Sequence, residues 1–468
     1  TPIKSSAASD VYKRQAYTNK KLNTEQGYIC VSRPRRFGKS MAANMLTAYY
    51  SRGCDSRRLF QGLKIATHPD FEKHLNQYNV IHLNMQNFLS KTQTIEQMIA
   101  LVTKAVGRDL LRAYPDVDYL DKTILTFMLD DIYQDCQVPF IFIIDEWDCI
   151  FRSRKNQLEE QTKYLDFLRD LLKDKSYIAL AYMTGILPIK KYGEHSAINV
   201  FYEYSMTDAS PIEEFTGFTE QEVRQLCEQY NMPFSETKKW YDGYCVDGVS
   251  IYNPKSVVEA MLRGKFSNYW TQTETYEALK IYIQSNEFGV QDVILKLLAG
   301  EKEKIDTTTF SNDMVTFATK DDVLTLLVHL GYLTYDAETK EIWIPNDEVM
   351  EQFISTVKVM GWGSVVTALE TSEKLLQATL SGDEQTVAEL IEQAHQANAS
   401  ILKYNDENAL SCVISLAYYS AQKNYTLHRE MPAGKWFADI VFEPNRNCNL
   451  PAMIVESVSY THLTLPTT

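Results

Sequence analysis

Arg33-Pro34-Arg35-Arg36-Phe37-Gly38-Lys39-Ser40 follows the apolar run Tyr28-Ile29-Cys30-Val31 and opens a stretch, Ser40 to Tyr50, with helical spacing. A turn between strand and helix that ends in Gly-Lys-Ser is the second half of the Walker A phosphate-binding pattern. Arg33 stands where that pattern has its first glycine. The physics survives the change, because the loop N–H groups and the positive end of the helix dipole still face an anion. On this reading the backbone of Arg33, Pro34, Arg35, Arg36, Phe37 and Gly38 cradles a nucleotide's phosphates. Lys39 reaches the β- and γ-phosphates and the Ser40 hydroxyl ligates Mg²⁺. Gly-Lys-Ser alone is a common tripeptide; the strand before it and the helix after it carry the reading.

Working outward, Phe140-Ile141-Phe142-Ile143-Ile144 is apolar throughout, as a strand buried on both faces must be, and it runs into Asp145-Glu146. That places Asp145 at the carboxyl edge of a sheet, where ligands sit in open α/β folds. Asp145 can hold Mg²⁺ as a Walker B aspartate does, and Glu146 can polarise an attacking water. The competing structural reading is a helix N-cap cluster of Asp145, Glu146 and Asp148. Val80 to Leu83 and Tyr177 to Met183 read as further strands, and Thr94 to Tyr114 and Tyr164 to Leu172 as helices. Thr184, ending the last of these strands, is placed to sense a γ-phosphate. The fold expected is α/β: a P-loop parallel sheet covered by helices.

Beyond Pro211 the pattern changes. Glu220 to Tyr230 and Ser256 to Arg263 are helix candidates, and Asp321 to Leu330 is a helix running into a two-stranded pattern, like a winged-helix unit. Glu351 to Gln396 is largely helical. The last part offers a helix, Ala409 to Ala421, and strands Tyr425 to His428, Phe437 to Phe442 and Ala452 to Val455. The expected organisation is a P-loop domain (16–210), a helical and winged-helix-like region (211–350), a helical connector (351–400) and a partial α/β endonuclease-like domain (401–456). Thr1–Gln15 and Ser457–Thr468 lack this patterning and resemble translated adaptor sequence, so both are expected to be non-native tails.

The 468 residues suit about three domains. With 45% apolar and 23% charged residues the composition argues against wholesale disorder, and a net charge of −14 gives no support to a DNA-coating protein. Arg35, Arg36, Lys190 and Lys191 are the local cations available to a phosphate or a partner. The apolar runs fall short of the roughly 20 residues a membrane span needs. Eight scattered cysteines without a CxxC pair point to buried thiols in a reducing compartment, so a cytoplasmic setting is expected.

The loop 33–40 resembles that of one bacterial family. So do Phe142 to Asp148, Thr184-Gly185-Ile186-Leu187, Phe215 to Thr219, Trp240 to Tyr244, Ile251-Tyr252-Asn253-Pro254 and Leu330-Gly331-Tyr332-Leu333. This is the AAA-ATPase-like family, whose members carry a C-terminal domain of the PD-(D/E)XK nuclease superfamily. The resemblance spans Tyr17 to Glu456 and makes Arg33 the family's usual residue. It implies ATP as ligand and hydrolysis by Lys39, Ser40, Asp145 and Glu146, with Mg²⁺. It also implies that Asp439 and Glu456 descend from a nuclease metal site, although Val458 stands where that site has its lysine.

The primary expectation is therefore an ATPase that couples nucleotide state to a truncated nuclease-like domain. The alternative is a nucleotide-gated switch that binds DNA or a protein and cuts nothing. A small-molecule kinase is a third reading, disfavoured by Asp145-Glu146. A homo-oligomer is expected by analogy with AAA-type proteins.

Overall fold

A computed structural model describes residues 14–154, 156–189, 198–270, 287–310, 317–360, 362–398, 413–433, 436–445 and 448–456. The chain divides into two compact units, residues 1–272 with 304–348, and residues 273–303 with 349–468. Lys190 and Lys191 lie outside the described residues, as does most of each expected tail. Arg14 and Gln15, at the end of the first expected tail, are buried at the start of a helix over residues 14–21.

The first unit is built on a five-stranded sheet of β1 (Tyr28–Ser32), β2 (Asn79–Asn84), β3 (Phe140–Asp145), β4 (Ile178–Gly185) and β5 (Tyr202–Tyr204). The order is β2-β3-β4-β1-β5 and every pair is parallel. The expected α/β parallel sheet is thus present. All six residues of β3 are buried. Each fully buried Ile or Phe there contributes about 1.5–3 kcal/mol, which explains why β3 takes a central place. Helices α1 (Lys39–Tyr50), α2 (Ile95–Ala113), α3 (Leu125–Cys136) and α4 (Leu158–Leu172) connect the strands. Thr94 caps α2 by accepting from the Gln97 N–H.

Insertion of β4 between β3 and β1 decides where chemistry can occur. Register pairs Asn84 with Asp145, Asp145 with Thr184, and Ser32 with Gly185. Four strands therefore end side by side, beside the loop that follows β1.

A second apolar core in this unit gathers around α5 (Glu220–Tyr230), α6 (Phe234–Tyr241) and α7 (Pro254–Arg263), with a small antiparallel sheet of Phe218–Thr219, Val249–Tyr252 and Tyr244–Val246. Thr219 and Glu222 form a reciprocal capping box at the start of α5. The winged-helix-like pattern is seen as α8 (Lys320–Leu330) followed by the antiparallel hairpin Thr334–Asp336 and Glu341–Trp343. Gly331 ends α8 with φ +87°, a conformation open mainly to glycine.

In the second unit, α9 (Gly363–Ser381), α10 (Glu384–Asn398) and residues 413–423 share one core with three antiparallel strands, Tyr425–Ala433, Trp436–Pro444 and Met453–Val455. Leu375, Leu376, Val413 and Phe442 lie in that core. The helices read from sequence as a connector thus pack with the strands of the following segment. Residues 401–412, including the start of the expected helix Ala409 to Ala421, lie outside the described residues.

Candidate nucleotide site

The loop after β1 splits its residues between anchoring and presentation. Arg33, Pro34, Phe37 and Lys39 are buried, while Arg35, Arg36 and Gly38 are partly exposed and Ser40 is exposed. Gly38 takes φ +86° at the N-cap of α1, with no atom within 4 Å of where a Cβ would stand. Its glycine identity is therefore a backbone requirement, and the space above it stays open.

Lys39 Nζ donates to the carbonyls of Arg33 and Pro34, each at 2.8 Å. Burial pushes its pKa down to about 8, opposed by the nearby carboxylates of Glu146, Asp148 and Asp145. The ammonium thus bridges the loop's own oxygens, a place that phosphate oxygens can compete for.

Asp145 is buried and fully engaged. Its Oδ1 accepts from Thr184 Oγ1 at 2.6 Å and from the Glu146 N–H at 3.0 Å, and its Oδ2 accepts from Asn84 Nδ2 at 3.4 Å. Glu146 has φ +55° and pairs with Arg152, which also lies 3.2 Å from the Asp148 carboxylate. Asp148 precedes the short helix Cys149–Ser153 but does not cap it. Its Oδ2 accepts instead from the Ile186 and Leu187 N–H groups, each at 2.9 Å. The helix-capping explanation of this acidic cluster therefore fails for Asp148.

The side chain of Arg33 has partners of its own. Its guanidinium is buried and Nη1 donates to the carbonyls of Ser32, Tyr204 and Ser205 at 2.9–3.0 Å. Desolvation lowers its pKa to about 10. The side chain braces β1 against β5, and the backbone remains the part expected to face phosphate.

The loop's far side is clamped. Phe37 stacks edge-on against Tyr244 with ring centres 5.0 Å apart, and its carbonyl accepts from the Gly217 N–H at 3.1 Å. Tyr244 Oη donates to the Gly331 carbonyl at 3.0 Å, and Gly331 packs directly on Pro34. Three of the sequence patches named above thus meet around the loop, itself the fourth. Asn84, Arg152, the pairing of Asp148 with Arg152 and the contacts of this clamp escaped the sequence reading. The i, i+4 spacing of Asp148 and Arg152 was the one available signal.

Mg²⁺ prefers hard oxygen donors and retains water. An exposed serine, Ser40, and a carboxylate at the end of β3, Asp145, suit that preference. At the other end of the chain, Ile440 pairs with Val455, so Asp439 and Glu456 fall opposite one another one step further along the register. Asp439 is half-buried and Glu456 exposed. Among the described residues no group of three or more His, Cys, Asp or Glu is arranged to hold a metal. No helix among them is long and apolar enough to cross a membrane.

A family model described as a predicted AAA-ATPase, AAA-ATPase-like, matches residues 14–193. An uncharacterised protein from the vnfD 5′ region of Azotobacter chroococcum mcd 1 is 24% identical over 259 residues, covering 54% of this chain and 48% of the relative. The chain thus spans about half the length of that curated relative. Among solved structures, the Aeropyrum pernix ORC2 protein in ADPNP–ADP complexes aligns with 74% of this chain and 92% of its own, at 12% identity and a TM-score of 0.32. The ORC1 protein of the same organism, in complex with DNA, aligns over 75% and 92% at 10% identity and a TM-score of 0.27.

Proposed function

We propose that this chain binds ATP on the loop Arg33–Ser40 and hydrolyses it. The observation that carries the reading is the convergence of Lys39, Asp145, Glu146 and Thr184 at one sheet edge, within the segment that matches an ATPase family. Lys39 exchanges the Arg33 and Pro34 carbonyls for phosphate oxygens. Ser40 and Asp145 would hold Mg²⁺, which would supply charge neutralisation on the phosphates. Glu146 accepts a hydrogen bond from the attacking water and orients it. Thr184, bonded to Asp145, reports on the γ-phosphate through that carboxylate.

Replacing Lys39 with Ala abolishes nucleotide binding on this reading, whereas Glu146→Gln keeps binding and loses turnover. Titration with a fluorescent ATP analogue, paired with phosphate release, separates the two. Undiminished Mg²⁺-dependent turnover in both variants overturns the assignment.

The clamp of Tyr244 and Gly331 on the loop favours a further element: nucleotide state moves the helix–hairpin α8 and its neighbours. It equally supports the second reading, a nucleotide-gated switch that recruits DNA or a protein without cutting. Salt-dependent DNA affinity with and without ATP distinguishes them from an uncoupled ATPase. The cross-strand placement of Asp439 and Glu456 supports the frame of a nuclease-type metal site. Mg²⁺-dependent nicking of plasmid DNA, lost in Asp439→Ala, is its test. A homo-oligomer in the cytoplasm completes the proposal, with sedimentation in ATP as the check on assembly.

A further inference from the structure

Arg152 sits behind the candidate site and takes no part in the roles assigned above. Its side chain is 13% exposed, and it pairs with two carboxylates of different exposure. Asp148 is fully buried and pinned by the Ile186 and Leu187 N–H groups, directly after Thr184 and Gly185. Glu146 is 25% exposed, on a backbone held at φ +55° and tied by its own N–H to Asp145. The chain of contacts therefore runs from the rigid end of β4, through Asp148 and Arg152, to the one carboxylate with access to solvent. A glutamate side chain has several rotatable bonds, and a water-orienting carboxylate works only if its direction is fixed before reaction. A guanidinium held on a buried aspartate is a planar fork suited to fixing it.

We propose that Arg152 is the positioning residue for Glu146 and sets the direction in which that carboxylate meets the attacking water. This rests on the hydrolysis reading above. Loss of Arg152 leaves Glu146 in place but free to rotate, so turnover falls while ATP affinity does not. Lysine restores part of the effect, since it can pair with Asp148 and Glu146 but lacks the fork.

The test is steady-state ATP turnover and analogue affinity for the wild type, Arg152→Ala, Arg152→Lys, Glu146→Gln and the Glu146→Gln/Arg152→Ala double variant. Arg152→Ala is expected to lower kcat roughly 10- to 100-fold with KM and analogue affinity within about twofold. Arg152→Lys falls between it and the wild type. In the Glu146→Gln background, removing Arg152 lowers the small residual turnover no further, read in single-turnover assays at high enzyme concentration, because the two residues act as one unit. Wild-type kcat in Arg152→Ala overturns the proposal, as does an equal loss in the Glu146→Gln background. A fall in analogue affinity matching the fall in turnover also overturns it, by marking Arg152 as merely structural. A wild type without turnover, or a Glu146→Gln variant at full rate, overturns the hydrolysis reading and Arg152's part with it. Full Glu146 dependence with an indifferent Arg152 defeats the present proposal alone.

Discussion

Replacing Gly331 with alanine tests whether the helix–hairpin is mechanically joined to the phosphate loop. At φ +87° an L-residue in the left-handed region costs about 1–2 kcal/mol. The added Cβ would stand 2.7 Å from Pro34 Cβ, 3.0 Å from Pro34 Cγ and 3.3 Å from Trp270 Cζ2. Relieving that overpacking costs about 1–3 kcal/mol more, so the variant loses roughly 2–5 kcal/mol in all. Gly264 provides the control, because it has φ +61° with nothing within 4 Å of a Cβ. Gly264→Ala therefore carries the backbone term alone, roughly 1–2 kcal/mol. Pro34 is the neighbour that must yield, and its carbonyl accepts from Lys39, so the displacement reaches the loop. Denaturant unfolding of both variants, with fluorescent-nucleotide titration, reads the two effects. Gly331→Ala is expected to be the less stable and to weaken nucleotide at least about tenfold, a loss of about 1.4 kcal/mol. Gly264→Ala leaves affinity unchanged. Identical stability and affinity in the two variants would refute the clamp.

Three further outcomes follow from the same geometry. Thr184→Val removes the 2.6 Å donor to Asp145 and is expected to reduce turnover more than affinity, by roughly tenfold, as read by parallel kinetics and binding. Binding needs protonated Lys39, whose ligand-free pKa is about 8, so nucleotide affinity is flat below pH 8 and falls by up to about tenfold per unit above it. Titrations from pH 6 to 9.5 check this, and a flat profile contradicts it. Burial, with Arg33 beside it, lowers the His329 pKa to about 3 from an ordinary value near 6.5. The unfolded chain therefore binds the extra proton, and stability is present above pH 6.5 and lost as pH falls toward 3. Denaturation of His329→Phe across that window should show a shallower acid loss.

The part of the fold that the sequence made legible is the part whose residues decide it locally. Phe140–Ile144 has no polar face, so it had to lie inside the sheet, and the carboxylates after it had to lie at its edge. Glu220–Tyr230 is bounded by its own capping box, and Gly331 marks the end of α8, so those limits were readable. Three-residue β5 was not, because Tyr202 and Glu203 lack an apolar pattern and the strand exists through its pairing with β1. The anchorage of the Arg33 side chain was hidden for a similar reason. The carbonyls of Tyr204 and Ser205 that hold its guanidinium lie more than 170 residues away in the sequence. The connector helices gave no sign in sequence that their apolar faces meet Phe442 and its neighbours, since amphipathic helices do not name their partners.

The central claim is an ATP-hydrolysing site built from Lys39, Asp145 and Glu146. Its most direct test is Mg²⁺-dependent phosphate release from ATP by the wild-type chain beside Glu146→Gln, with nucleotide binding measured in the same preparations. Turnover in the wild type, with binding retained and turnover lost in Glu146→Gln, is the predicted result. Equal turnover in both proteins would contradict it.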